Sequence, residues 1–204
     1  MSEFTYTSPL AGVIKPGVYG ASKTAPGVAI LETWRSLYSI MPRNGQQSVV
    51  SGVTRERYGL PLPDIGRVTS NAEHSMIWSG LNQWMLAGAL NETDINFPEL
   101  ADALKDMAAL VDHSHARSII RLSGSQARHT LAKLCALDTH PRSFSSNYSA
   151  ATRMAHISTL IHQIDAAPLY EIYVPRAFAR SFFSELCEAA AEYGYIAEPL
   201  RRDP

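Results

Sequence analysis

Apolar residues change their spacing several times along this 204-residue chain, and each change marks a segment. Residues 1–27 carry Pro9, Pro16 and Pro26 with Gly12, Gly17, Gly20 and Gly27, and they show little periodicity. Such a segment reads as an arm, either disordered or lying extended across a partner. Its apolar residues Leu10, Val13, Ile14, Val18 and Tyr19 favour docking. From Val28 the pattern alternates: Val28, Ile30, Trp34, Tyr38 and Ile40 share one parity, interrupted by Glu32 and Ser36. That spacing predicts one long half-buried strand, ended by Pro42 and Asn44-Gly45. A helix follows to about Tyr58, with Val49, Val50 and Val53 on one face and Gly59 as its stop. Leu60-Pro-Leu-Pro63 breaks the chain, and strand-like segments lie near 68–78 and 82–88 around a Ser79-Gly80 turn. Asn96 caps the next helix, Pro98 suits its first turn and Glu99 completes a capping box. Leu100, Leu104, Met107 and Val111 then form a single stripe.

The second half repeats this order of elements without repeating the sequence. Ser118, Ile120 and Leu122 alternate in a short strand, and Ser123-Gly124-Ser125 opens a helix with Ala127, Leu131 and Leu134 facing inward. Residues 147–164 are strand-rich, and Asp165-Ala-Ala-Pro168 turns into Leu169–Val174. A last helix from about Ala177 to Tyr193 aligns Phe178, Phe182, Leu186, Ala189 and Tyr193, and Gly194 stops it. The expected architecture is α+β, two split β-α-β-like units packed together. The expected divisions are an arm at 1–27, a first unit at 28–112, a second at 113–194 and a tail at 195–204.

Charge narrows the function. Eighteen Lys and Arg against nineteen Asp and Glu give a net charge of −1, without the basic footprint of a general nucleic-acid binder. Charged residues make up only 18% of the chain, against roughly 25% in an average soluble domain. Cores hold few charges to lose, so the deficit falls on the surface, as in a subunit buried among partners. No apolar run spans a bilayer and no signal peptide opens the chain, which points to the cytoplasm. Cys135 and Cys187 there read as reduced thiols.

Candidate chemistry is sparse. Neither a Walker loop nor G-x-G-x-x-G, C-x-x-C or H-E-x-x-H occurs, which weighs against a nucleotide-binding or zinc enzyme. His113 and His115 would share a face on a strand and begin a metal site, yet no third ligand follows at a helpful spacing; a hydrogen-bonded strand end is the plainer reading. His156 and His162 would likewise share a strand face. Cys135 with Asp138 and His140 has the ingredients of a thiol nucleophile and its base, but Cys135 continues an apolar stripe that buries its sulfur. The segment Asp138-Thr-His-Pro-Arg142 is the densest polar knot. It is either a recognition loop, with Arg142 forking onto a partner carboxylate, or a clamp in which Asp138 pairs with Arg142. Trp84, just after a turn, is placed to anchor an interface with an exposed ring. The interface set is therefore Trp84, Asp138, His140 and Arg142.

Val111-Asp-His-Ser-His-Ala-Arg117, Ile120-Arg-Leu-Ser-Gly124 and Leu131-Ala-Lys-Leu-Cys-Ala-Leu-Asp-Thr-His-Pro-Arg-Ser-Phe144 resemble the gamma subunit of heterotetrameric sarcosine oxidase. Thr152–Ile157, Ala167-Pro168, Tyr170-Glu171 and Val174–Ala179 continue the resemblance, which covers residues 110–194 well and 1–60 only in layout. It implies a small relative of the aminomethyltransferase and folate-binding fold, and a noncatalytic subunit binding no cofactor itself. FAD, FMN, NAD, tetrahydrofolate and zinc are then expected on the alpha, beta and delta partners. The implied assembly demethylates sarcosine to glycine, passing the one-carbon unit to tetrahydrofolate and electrons to oxygen. The matching subunit of N-methylglutamate dehydrogenase and a free-standing folate-binding aminomethyltransferase are the alternatives, the latter motivated by Ser114-His115-x-Arg117.

Overall fold

The computed structural model describes residues 7–21, 24–90 and 95–200. Two antiparallel-rich sheets lie back to back, each covered on its outer face by a pair of helices. The larger sheet has seven strands in the order β1 (Gly17–Tyr19), β12 (Tyr195–Glu198), β2 (Val28–Thr33), β8 (Arg117–Ser123), β11 (Leu169–Pro175), β10 (Ile157–Asp165) and β9 (Tyr148–Met154). The smaller has five, β4 (Val68–Ser70), β5 (Ser75–Gly80), β6 (Gln83–Ala87), β3 (Leu37–Pro42) and β7 (Ala108–Asp112). Helices α1 (Gln47–Tyr58) and α2 (Phe97–Ala103) cover the smaller sheet, and α3 (Ala127–Leu134) and α4 (Ala179–Ala190) the larger.

Strand alternation produces these layers directly, since neighbouring residues on a strand point to opposite faces. Ile120, Leu122, Ile161, Ile172 and Val174 join Leu131, Phe182 and Leu186 under α3 and α4. Met76, Trp84 and Leu86 join Val50 and Leu100 under α1 and α2. The intervening residues Ile77, Met85, Ile119, Leu160 and Tyr173 meet between the sheets. Strands buried on both faces have no polar face to display, so Ile119-Ile120 are consecutive buried isoleucines.

Five sequence expectations change. The single strand read over 28–40 is two strands in different sheets, because the chain crosses between layers at Trp34-Arg35-Ser36. Val28 and Ile30 face α3 and α4, whereas Tyr38 and Ile40 face α1 and α2 on the opposite side of the molecule. Equal parity therefore hides the crossing. The second helix stops at Ala103: Asp106 turns left-handed with φ 63°, and Ala108–Asp112 becomes an edge strand hydrogen-bonded to β3. Residues 195–198 are a strand inside a sheet, parallel to β2 and antiparallel to β1, where a tail was expected. The arm lies on its own chain. Leu10 and Ile14 enter the core under α4, Ser8 donates to the Glu32 carboxylate, and Arg180 Nε donates to the Pro9 carbonyl at 3.0 Å. Because β2 joins the sheet built by the second half, the layers exchange at 34–36 and again at 113–116, not at a single boundary near 112.

Helix ends follow local chemistry. Gly59 closes α1 in the left-handed region, donating its N–H to the Arg55 carbonyl, as glycine does at little steric cost. Asn96 caps α2, accepting the Glu99 N–H while its own amide donates to the Glu99 carboxylate at 2.8 Å. Gly124, at φ 109°, sits where a Cβ would come within 2.3 Å of the Gly27 carbonyl oxygen. That close approach lets Gln126 N–H reach the same carbonyl at 3.0 Å and start α3. Among the described residues no helix is long and apolar enough to cross a membrane.

Leu10 is fully buried within the larger sheet's core, so Leu10→Ala is expected to lower stability by about 2–5 kcal/mol in urea titrations. A mobile arm would give a change near zero.

Candidate functional site

The chain's strongest concentration of charge lies between the sheets. Glu171 stands in the middle of β11, on the face that carries Tyr173 toward the smaller sheet, and is 1% exposed. Register places Arg121 of β8 on one side of it and His162 of β10 on the other. Arg121 donates to Glu171 Oε1 through Nε and an Nη at 2.9 and 2.8 Å. Arg35, from the crossing between β2 and β3, donates to the same oxygen at 3.2 and 3.1 Å. Tyr173 gives its hydroxyl proton to Oε2 at 2.6 Å. Burial pushes the Glu171 carboxyl upward, but the two guanidinia and the tyrosine outweigh it and hold the group down at about 2. The same burial and the facing carboxylate push the Tyr173 hydroxyl well up. Arg35 also donates to the Gly88 carbonyl beyond β6 at 2.6 Å, so one carboxylate fastens the crossing and the end of the smaller sheet to the larger one.

His162 completes the row. It is 3% exposed, and neither ring nitrogen meets a hydrogen-bond partner. Burial lowers its pKa to about 4, with Glu171 opposing and Arg35 and Arg121 reinforcing the shift. The imidazole is neutral at pH 7. With both oxygens of Glu171 engaged by donors, the cluster is built to hold the sheets in register.

The residues singled out by sequence are placed differently from one another. Trp84 is 3% exposed, packs beneath α1 and α2, and donates its indole N–H to the Pro63 carbonyl at 2.9 Å. An exposed interface ring is thus corrected to a core residue: inward alternation on β6 decides its face. Asp138, His140 and Arg142 are exposed and close together. The Ser143 hydroxyl and the His140 N–H both bind the Asp138 carboxylate and lower its pKa. Arg142 N–H binds His140 Nδ1 at 3.2 Å. The loop is clamped by backbone and hydroxyl donors; among the described residues no Asp138–Arg142 ion pair forms. Phe144, buried against Tyr170 and Tyr148, anchors its end.

Cys135 is half-buried, its thiol donates to the Leu131 carbonyl, and burial raises its pKa, so it stays protonated. His113 opens and His115 lies inside the turn between β7 and β8, so they share no strand face. Ser114 uses that turn to join the layers, accepting the Leu37 N–H on its hydroxyl and the Trp34 indole N–H on its carbonyl, each at 3.0 Å. His156 occupies the tip of the β9–β10 hairpin at φ 64°, so it does not share a face with His162. Among the described residues no three His, Cys, Asp or Glu side chains are grouped to hold a metal ion. Sequence reasoning passed over the Glu171 cluster, although a lone carboxylate inside an apolar run, Leu169–Val174, is its signal.

Two measurements test this arrangement. Glu171→Ala leaves two guanidinia buried without their acceptor and should cost about 3–5 kcal/mol by denaturant unfolding. The free imidazole titrates near 6.5 and the folded His162 near 4, so the unfolded chain gains a proton that the folded one refuses. Stability should therefore fall by about 3 kcal/mol as pH drops from 6.5 to 4. Following the melting temperature against pH, His162→Gln should remove that decline. It should keep the further loss below pH 4.5, as the depressed Glu171 carboxylate is protonated.

Comparison with known proteins places this fold. The solved heterotetrameric sarcosine oxidase from Corynebacterium sp. U-96 contains a chain that superposes with a TM-score of 0.77 at 24% identity, covering 92% of this chain and 95% of that one. The glycine cleavage system aminomethyltransferase T from Bartonella henselae superposes at 0.60 and 14% identity, covering 85% of this chain and 49% of that enzyme. In sequence, the sarcosine oxidase subunit gamma of Corynebacterium sp. (strain P-1) is 33% identical over 149 residues, 71% of this chain and 70% of that protein. The subunit gamma of an Arthrobacter sp. is 32% identical over 121 residues, 59% of this chain and 58% of that protein. Residues 45–192 match the sarcosine oxidase, gamma subunit family, and the chain belongs to that family.

Proposed function

We propose that this chain is a noncatalytic subunit of a sarcosine oxidase-type heterotetramer, acting in its assembly and stability. The observation that carries the reading is the family match over residues 45–192. The likeness of fold to a chain of the Corynebacterium sp. U-96 heterotetramer is consistent with it. The chemistry of the chain supports it as well. Its most reactive groups are committed to internal partners: Glu171 to two arginines and a tyrosine, Cys135 to a carbonyl, and Ser114 to two backbone or indole donors. In this reading the alpha, beta and delta subunits carry FAD, FMN, NAD, tetrahydrofolate and zinc. The assembly oxidatively demethylates an N-methyl amino acid such as sarcosine in the cytoplasm. The exposed loop with Asp138, His140 and Arg142 is the part of the predicted interface set that is available to a partner.

Co-expression with the three companion chains tests it. Native mass measurement should find all four chains in one particle, and sarcosine turnover should require the particle rather than this chain alone. A fully active three-chain enzyme of unchanged thermal stability would defeat the proposal.

A further inference from the structure

At one end of the space between the sheets opens a cleft of about 370 Å³, lined by residues of β5, β6, β8, β9 and β10. Two of its walls carry guanidinium groups, Arg117 from β8 and Arg153 from β9. Hydroxyl and amide side chains complete the polar lining: Ser79 and Gln83 from the smaller sheet and Ser158 from the larger. Register explains the convergence, because Ser158 and Arg153 are directly opposed across the β9–β10 hairpin. No Asp or Glu lines the cleft.

That lining leaves Arg117 in an unusual position. Arg117 is half-buried, with its Nε shut off from solvent and meeting no acceptor, whereas the half-buried Arg35 and Arg121 share Glu171. A charged donor removed from water without an acceptor costs free energy that neighbouring groups must offset. Burial lowers the Arg117 pKa, and no carboxylate acts against that shift. Beside it, His113 is pushed toward its neutral form by burial and by Arg117, only partly countered by Asp112. The missing component is therefore an acceptor with negative charge. A guanidinium fork with a second arginine and surrounding hydroxyls matches the planar or tetrahedral oxygens of a carboxylate or phosphate.

We propose that this cleft is a binding site for a small oxyanion, a carboxylate or a phosphate, held by Arg117 and Arg153. The inference rests on the cleft alone and is independent of the subunit assignment. The full-length chain is titrated with inorganic phosphate and, separately, with acetate, chloride being exchanged to keep ionic strength constant. At tenfold excess over the dissociation constant, the bound anion should raise the melting temperature by about 3–5 °C. Whichever of the two salts gives the larger shift identifies the preferred oxyanion. Arg117→Gln should abolish the response while melting no lower than wild type in chloride, because it removes an uncompensated charge. If Arg117→Gln does not fold, Arg153→Gln decides at an exposed position, where a weakened response sustains the site and an unchanged one overturns it. A wild-type chain indifferent to both salts, or a response equal in wild type and Arg117→Gln, also overturns it.

Discussion

The fold depends on one ionised carboxylate enclosed between two sheets. Glu171 has left water, so its charge must be met by donors that are themselves fixed. Arg121 lies opposite it in the sheet register, but Arg35 reaches it only if the chain turns away from β2 at residue 34 and enters the other layer. The same guanidinium holds Gly88, so satisfying one charge fixes where the two sheets meet. Apolar residues such as Tyr173, Ile77 and Met85, buried in one cluster, supply area in this layer. Apolar area is non-directional, and the hydrogen-bonded charges set the alignment.

The sequence made the helices and single strands legible where one chemical signal sufficed. Gly59 ends α1, Asn96 with Glu99 begins α2, and the Phe182–Leu186 stripe belongs to α4. What stayed hidden depends on partners distant in sequence. The parity shared by Ile30 and Tyr38 looks identical whether the two residues face one helix layer or opposite ones. Trp84 follows a turn, but its exposure is decided by β3 and the helices above it. The Leu100–Val111 stripe is helical in period, yet pairing with β3 captures its last residues. Glu171 needed two arginines that lie 136 and 50 residues away.

The polar loop shows the same division. Its composition marked a dense polar segment, and in the structure the Ser143 hydroxyl and the His140 N–H close on Asp138 while Phe144 is buried at its end. Which groups close it was not readable, because the Ser143 hydroxyl and backbone N–H groups are better placed for Asp138 than a flexible arginine tip is. Local hydrogen bonding of this kind competes effectively with long side-chain ion pairs, which lose conformational freedom when held.

The parallel pairing of β12 with β2 has a consequence for synthesis. Residues 28–31 leave the ribosome early but pair with residues 195–198, which leave 167 residues later, a long-range pairing that forms late. Until then β2 has a vacant flank, and β1, which among the described residues pairs with β12 alone, has no strand partner. The larger sheet is thus sealed by a late segment, while the smaller sheet holds only residues 37–112 and completes its pairing within a continuous stretch. A nascent chain paused before that segment presents one finished half and one open seam.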